Sequence, residues 1–151
     1  KDIVFDWEKI LSLEGYSSPY LQYTYARCAS VLAKAKISNR SRIGINLRSG
    51  ITGEKTREEQ ILLRTFYQFP EIIELAAEHF SPHFLEIYLF DMAQKFNLFY
   101  QKHRILKPKV KNKKSKADSK TVDFRLFLTA TTAKILRCGL EILGVPVLEK
   151  M

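Results

Sequence analysis

Gly15-Tyr16-Ser17-Ser18-Pro19-Tyr20-Leu21-Gln22-Tyr23-Thr24-Tyr25-Ala26-Arg27 sets a helix start directly ahead of three tyrosines and an arginine. Ser18 suits the N-cap, and Pro19 suits the first helical position, where its missing N–H costs nothing. Tyr20, Tyr23 and Arg27 then fall at i, i+3 and i+7, on one side of a 3.6-residue helix. Aromatic rings beside a guanidinium are what an unstacked nucleotide needs: flat faces to stack on and a charge for its phosphate. A tyrosine-rich helical face is also ordinary core. The stretch alone leaves both readings open.

Outward from it, helical periodicity dominates. A short helix is expected from Val4 to Leu13, with Phe5, Ile10 and Leu13 on its buried side, then a turn over residues 15–18. The second helix should run from Pro19 to Lys36, with Leu21, Tyr25, Cys28, Val31, Leu32 and Ala35 as its apolar stripe. Residues 37–55 are polar, hold Gly44, Gly50 and Gly53, and read as a loop. Thr56 with Glu59 three residues on is a capping-box pattern for a helix through Gln68. Pro70 breaks that helix, which resumes over Glu71–Phe80. Ser81-Pro82 opens what reads as the longest helix, through His103, with Leu85, Leu89, Met92, Phe96 and Phe99 inward. A last helix is expected over Phe124–Leu143, stopped by Gly144 and Pro146. No strand pattern competes, so the fold class is all-α, an antiparallel helical bundle.

A chain of 151 residues, 46% hydrophobic and 27% charged, fits one globular domain with a real core. No apolar run reaches the length of a membrane span, and the first residues do not read as a signal peptide. The start at Lys1, without methionine, reads as a piece of something longer. Cys28 and Cys138 have no metal-ligand spacing and are expected to be buried, reduced thiols. The net charge is +9, of which +7 lies in residues 104–120: Arg104, Lys107, Lys109, Lys111, Lys113, Lys114, Lys116 and Lys120 against Asp118 alone. Such a run reads as a solvated loop, and its partner as a polyanion.

Catalysis finds no support in the residues. There is no glycine-rich phosphate loop and no paired His/Cys set. His79, His83 and His103 show no nucleophile or carboxylate partner, and the Ser81-Pro82 helix start between the first two argues against a metal site. They read as surface histidines.

The Pro19-Tyr20-Leu21-Gln22-Tyr23 run with Arg27 resembles the opening of the DALR anticodon-binding domain at the C-terminus of arginyl-tRNA synthetases. Val4–Gly15 is similar to that family's entry segment, and Tyr88–Tyr100 to its long central helix. Gly139–Val145 and the closing Glu149-Lys150-Met151 resemble its last helix and terminal methionine. The matches occur in family order along nearly the whole chain. Tyr25 stands where many relatives carry histidine, and Leu148 replaces a proline that would stiffen the tail.

This resemblance implies a single domain over residues 1–151, of the class I synthetase anticodon-binding type; the basic loop at 104–120 departs from it, being longer than the family's usual connection. It implies tRNA anticodon recognition within an arginine–tRNA ligase whose catalytic domain, with its ATP and Mg requirement, lies elsewhere; this stretch would hold no cofactor and no metal. Anticodon contacts carry over to Tyr20, Tyr23, Arg27, Tyr100 and Met151. Lys107, Lys109, Lys111, Lys113, Lys114 and Lys116 are candidates for the tRNA backbone. The implied partners are tRNA(Arg) and the parent's own catalytic domain, in a cytoplasmic monomer with no membrane contact. The competing readings are the related domain of a cysteinyl or methionyl synthetase, and a basic helical scaffold for RNA or ribosome without anticodon specificity.

Overall fold

The computed structural model of the chain describes residues 17–35, 54–106 and 116–148, with the backbone alone over 116–120. Five helices follow one another among the described residues: α1 (Ser18–Lys34), α2 (Arg57–Tyr67), α3 (Phe69–Glu78), α4 (His83–Lys102) and α5 (Lys116–Ile142). The helix expected near the N-terminus, most of the loop after α1 and the lysines from 107 to 115 lie outside the described residues.

Local chemistry fixes most of the boundaries. Ser17, rather than Ser18, is the N-cap of α1: its side chain accepts from the Tyr20 N–H at 3.4 Å, and Pro19 sits in the first turn. The cap must stand one residue further out because Ser18 already has helical geometry. At α2 the capping box closes as the sequence predicts: Thr56 Oγ1 accepts from Glu59 N at 3.4 Å, and Glu59 Oε2 accepts from Thr56 N at 2.9 Å. Gln68 alone separates α2 from α3 and keeps right-handed helical angles. Pro70, lacking an N–H, therefore bends the path more than it interrupts it. Tyr88 of α4 bridges this bend, donating to Thr65 O at 2.8 Å and stacking on Phe69 with centroids 5.8 Å apart.

The longest helix is α5, not α4. It starts within the basic run, eight residues before the expected Phe124. Lys116, Ala117 and Lys120 are good helix formers, and extending an existing helix is far easier than nucleating one. Its end follows the sequence: Gly144 is left-handed at φ +74, Gly144 N donates to Glu141 O at 3.1 Å and Val145 N to Leu140 O at 2.8 Å. This is the paired closure of a Schellman motif, which turns the tail back. Gln22 Nε2 then holds that tail on α1, donating to Pro146 O at 2.8 Å.

α4 packs against all four other helices and forms the centre of the bundle. Its predicted stripe of Leu85, Leu89, Met92, Phe96 and Phe99 is buried, and meets Tyr25, Cys28 and Leu32 of α1 and Leu128, Leu136 and Leu140 of α5. Each such side chain contributes about 1.5–3 kcal/mol of burial. Gly139 makes room where α5 crosses α4: a Cβ there would lie 2.7 Å from both Leu89 methyls, so that buried side chain would have to shift. Cys28 is buried, and desolvation pushes its thiol well above the usual range. Cys138 corrects the expectation of two buried thiols: it is exposed, because it falls on the outer side of α5. Among the described residues no helix is long and apolar enough to cross a membrane.

Candidate nucleic-acid interface

The seam between α1 and α4 brings three of the expected site residues together. Arg27 extends from α1 with its guanidinium 4.7 Å from the Tyr23 ring centre and 4.9 Å from that of Tyr100 on α4. Arg27 Nη2 also donates to the Tyr23 hydroxyl at 2.8 Å. Tyr23 lies one turn before Arg27, so the helix itself sets that contact. Tyr100 arrives only through packing of α4. Both residues are exposed, 39% for Tyr23 and 38% for Tyr100.

Tyr20 sits differently. It is half-buried and its ring packs at a tilt on Phe90, with centroids 5.1 Å apart, so part of it already serves the core. Its hydroxyl joins the cluster through Asn97, whose Nδ2 donates to Tyr20 Oη at 2.8 Å and to Thr24 Oγ1 at 3.1 Å. Asn97 Oδ1 accepts from Arg27 Nη1 at 2.7 Å. The amide thus ties Tyr20, Thr24 and Arg27 together, and only 8% of the residue is exposed.

Asn97 was not among the residues the sequence nominates, yet it organises the cluster. The signal was present: it is the one amide inside the aromatic run Phe96-Asn97-Leu98-Phe99-Tyr100. A polar group on a buried face has to find partners. Which partners it finds depends on helix packing.

A model of the DALR anticodon binding domain matches residues 21–151. The chain belongs to the DALR anticodon-binding domain family. An arginine–tRNA ligase of Wigglesworthia glossinidia brevipalpis is 37% identical over 150 residues, covering 99% of the chain and 23% of that protein. One of Thermococcus kodakarensis is 37% identical over 152 residues, covering 100% and 22%. The chain therefore spans about a quarter of the length of these relatives. The Thermus thermophilus arginyl-tRNA synthetase structure superposes with a TM-score of 0.74 at 30% identity, over the whole chain and 24% of that structure. A Plasmodium falciparum arginyl-tRNA synthetase superposes at 0.76 and 22% identity, which speaks to the fold.

Next to the aromatic seam, this DALR domain carries an ion-pair network that the sequence did not announce. His103 corrects the reading of partnerless surface histidines: it is half-buried, with Nε2 3.2 Å from Glu58 Oε2 and 3.4 Å from Thr56 Oγ1. Lys102 Nζ donates to Glu58 Oε1 at 2.7 Å. That bond, then Glu58's own main chain and then His103, hold its carboxyl down at about 2. The neighbouring Glu59 is buried and accepts from Arg125 Nε at 2.8 Å, while Arg125 Nη1 donates to Arg104 O at 3.0 Å. The C-terminal end of α4 is thereby pinned to α2 and α5. His79 and His83 are exposed, and His83 Nδ1 lies 2.6 Å from Ser81 Oγ. Among the described residues no group of three His, Cys, Asp or Glu could hold a metal ion.

Met151 and Lys107, Lys109, Lys111, Lys113 and Lys114 lie outside the described residues. Lys116 opens α5, and its side chain is likewise not described.

Proposed function

We propose that this DALR domain reads the anticodon of an arginine tRNA, as part of a longer cytoplasmic ligase that joins arginine to that tRNA using ATP. The observation that carries the reading is the guanidinium of Arg27 placed against two half-exposed tyrosine rings. Tyrosine faces offer stacking surface to an unstacked base, worth about 1–3 kcal/mol per ring. Arg27 has five N–H donors, of which Asn97 and the Tyr23 hydroxyl engage two among the described residues. The remaining donors suit the O2 and N3 acceptors of cytosine, the middle base shared by nearly all arginine anticodons. Uracil carries an N3–H donor at that edge and would oppose the guanidinium.

In this scheme Tyr20 supports the site through Asn97. Met151 joins it on the strength of the family resemblance, as a thioether contact, and the lysines from 107 to 116 join it on their charge alone, as phosphate contacts. ATP and Mg belong to the catalytic part of the parent. The test is binding of the chain to an arginine tRNA transcript and to its middle-cytosine-to-uracil variant across a salt series. Preference for the unaltered transcript should persist as salt rises, and Arg27→Lys should abolish it because an ammonium cannot make the same planar contact. Equal, steeply salt-dependent binding of both RNAs would instead support a phosphate-binding scaffold.

A further inference from the structure

The chain that follows α5 lies against the helix that carries the seam. The start of α1 and the end of α5 border one cavity, where Ser17 and Leu21 meet Leu140 and Val145. The two helices are therefore antiparallel. Gly144, left-handed at φ +74, reverses the chain there, and a chain turned back on α5 runs in the direction of α1. Val145 borders the first turn of α1, and Pro146, one residue on, is already at Gln22, whose Nε2 donates to its carbonyl at 2.8 Å. Val145 and Val147 are partly buried against the core on either side of that bond, while Leu148 is exposed. The tail enters beside Ser17 and advances along α1 towards Tyr23 and Arg27.

Gln22 stands where that course is set. Leu21 before it is buried core, and Tyr23 after it belongs to the exposed seam. Proline restricts its own φ to about −65°, so holding the Pro146 carbonyl also fixes the direction in which the chain leaves. From Gln22 to Arg27 is five residues of helix, about 7.5 Å. Five residues follow Pro146 in the sequence, and three extended residues span about 10 Å. The tail is long enough to reach the seam. A segment already held at one point also loses less conformational entropy on binding than a free one.

We infer that Gln22 is a positioning residue for RNA binding: by holding the Pro146 carbonyl it lays the tail beside Tyr23 and Arg27, so that tail and seam meet the RNA strand as one surface. Gln22 acts through the tail and touches no base itself. The inference rests on the anticodon-reading proposal and adds to it the contact that sets the tail's course.

The test is a double-mutant cycle. Four proteins are compared: the full chain, Gln22→Met, the chain lacking residues 149–151, and the two changes combined. Methionine keeps the length and helix propensity of glutamine and removes the donor. The deletion leaves Val147 on the core. Each protein is titrated with an arginine-tRNA anticodon stem–loop and with its middle-cytosine-to-uracil variant. Urea unfolding should give all four nearly the same midpoint, since the Gln22 bond is exposed. Gln22→Met should weaken binding of the cytosine stem–loop about fivefold, the scale of one neutral hydrogen bond. The deletion should weaken it at least as much, and Gln22→Met should then add less than twofold in the shortened chain. Equal losses from Gln22→Met in both lengths of chain would make Gln22 an RNA contact or a fold contact and overturn the positioning role. Full affinity in Gln22→Met, or in the shortened chain, would overturn it as well. In each of these cases a cytosine-over-uracil preference in the full chain leaves the Arg27 reading standing. Absence of that preference in the full chain would remove the anticodon reading, and this inference with it.

Discussion

Replacing Asn97 by alanine removes three hydrogen bonds at once. Two are neutral, to Tyr20 and Thr24, and one receives the charged Arg27 guanidinium at 2.7 Å. At about 1 kcal/mol for each neutral bond and about 1.5–3 kcal/mol for the charged one, the gross loss is about 4 kcal/mol. Part is recovered. Arg27 keeps its bond to Tyr23 and both rings, and Tyr20 is only half-buried, so water can replace the amide there. Thr24 is fully buried but still donates to Tyr20 O at 2.9 Å. The net expectation is about 2–3 kcal/mol, or about 5–10 °C in Tm for a chain of this length. Urea unfolding followed by circular dichroism should show a lower midpoint at an unchanged slope. Asn97→Asp separates the parts: it keeps an acceptor for Arg27 but cannot donate to Thr24, so its loss should be about half as large. It should also retain more cytosine-over-uracil preference than the alanine variant. A loss under about 0.5 kcal/mol for Asn97→Ala, with preference unchanged, would refute the view that this amide organises the seam.

Phe80 stands 94% exposed at φ 48, in the left-handed position that closes α3 through Ser81 N to Ala76 O and Phe80 N to Ala77 O. Phe80→Gly should raise stability by about 1 kcal/mol in urea unfolding, because glycine adopts that geometry without the Cβ penalty. Arg125→Ala should cost about 3–5 kcal/mol by the same assay, since it leaves the Glu59 carboxylate buried beside α5 without its cation. The depressed Glu58 carboxyl makes stability pH-dependent: its contribution is complete above the ordinary value of 4.5 and is lost as pH falls towards about 2. Unfolding midpoints measured from pH 5 to 2 should therefore fall less steeply in Glu58→Gln than in the unaltered chain.

Features that depend on near neighbours along the chain were legible in the order of its residues. The Thr56–Glu59 capping box, the Gly144 stop and the period of Leu85, Leu89, Met92, Phe96 and Phe99 are local, because caps and helix faces span a few turns at most. The Tyr23–Arg27 contact was readable for the same reason, being one helical turn. The family resemblance supplied the functional direction, which spacing left undecided between core and site.

Meetings across long separations came from packing. Asn97 reaches Tyr20 and Arg27, and Tyr100 meets Arg27, only because α4 packs on α1. Glu58 finds His103, and Glu59 finds Arg125, across more than forty residues. That is why His103 read as partnerless and Cys138 as buried. Periodicity places a residue on a helix face, but which neighbour covers that face is set by how the helices cross. A polar side chain in a folded interior takes whatever partner the crossing brings within reach, and in this chain those crossings assemble the Tyr23–Arg27–Tyr100 seam.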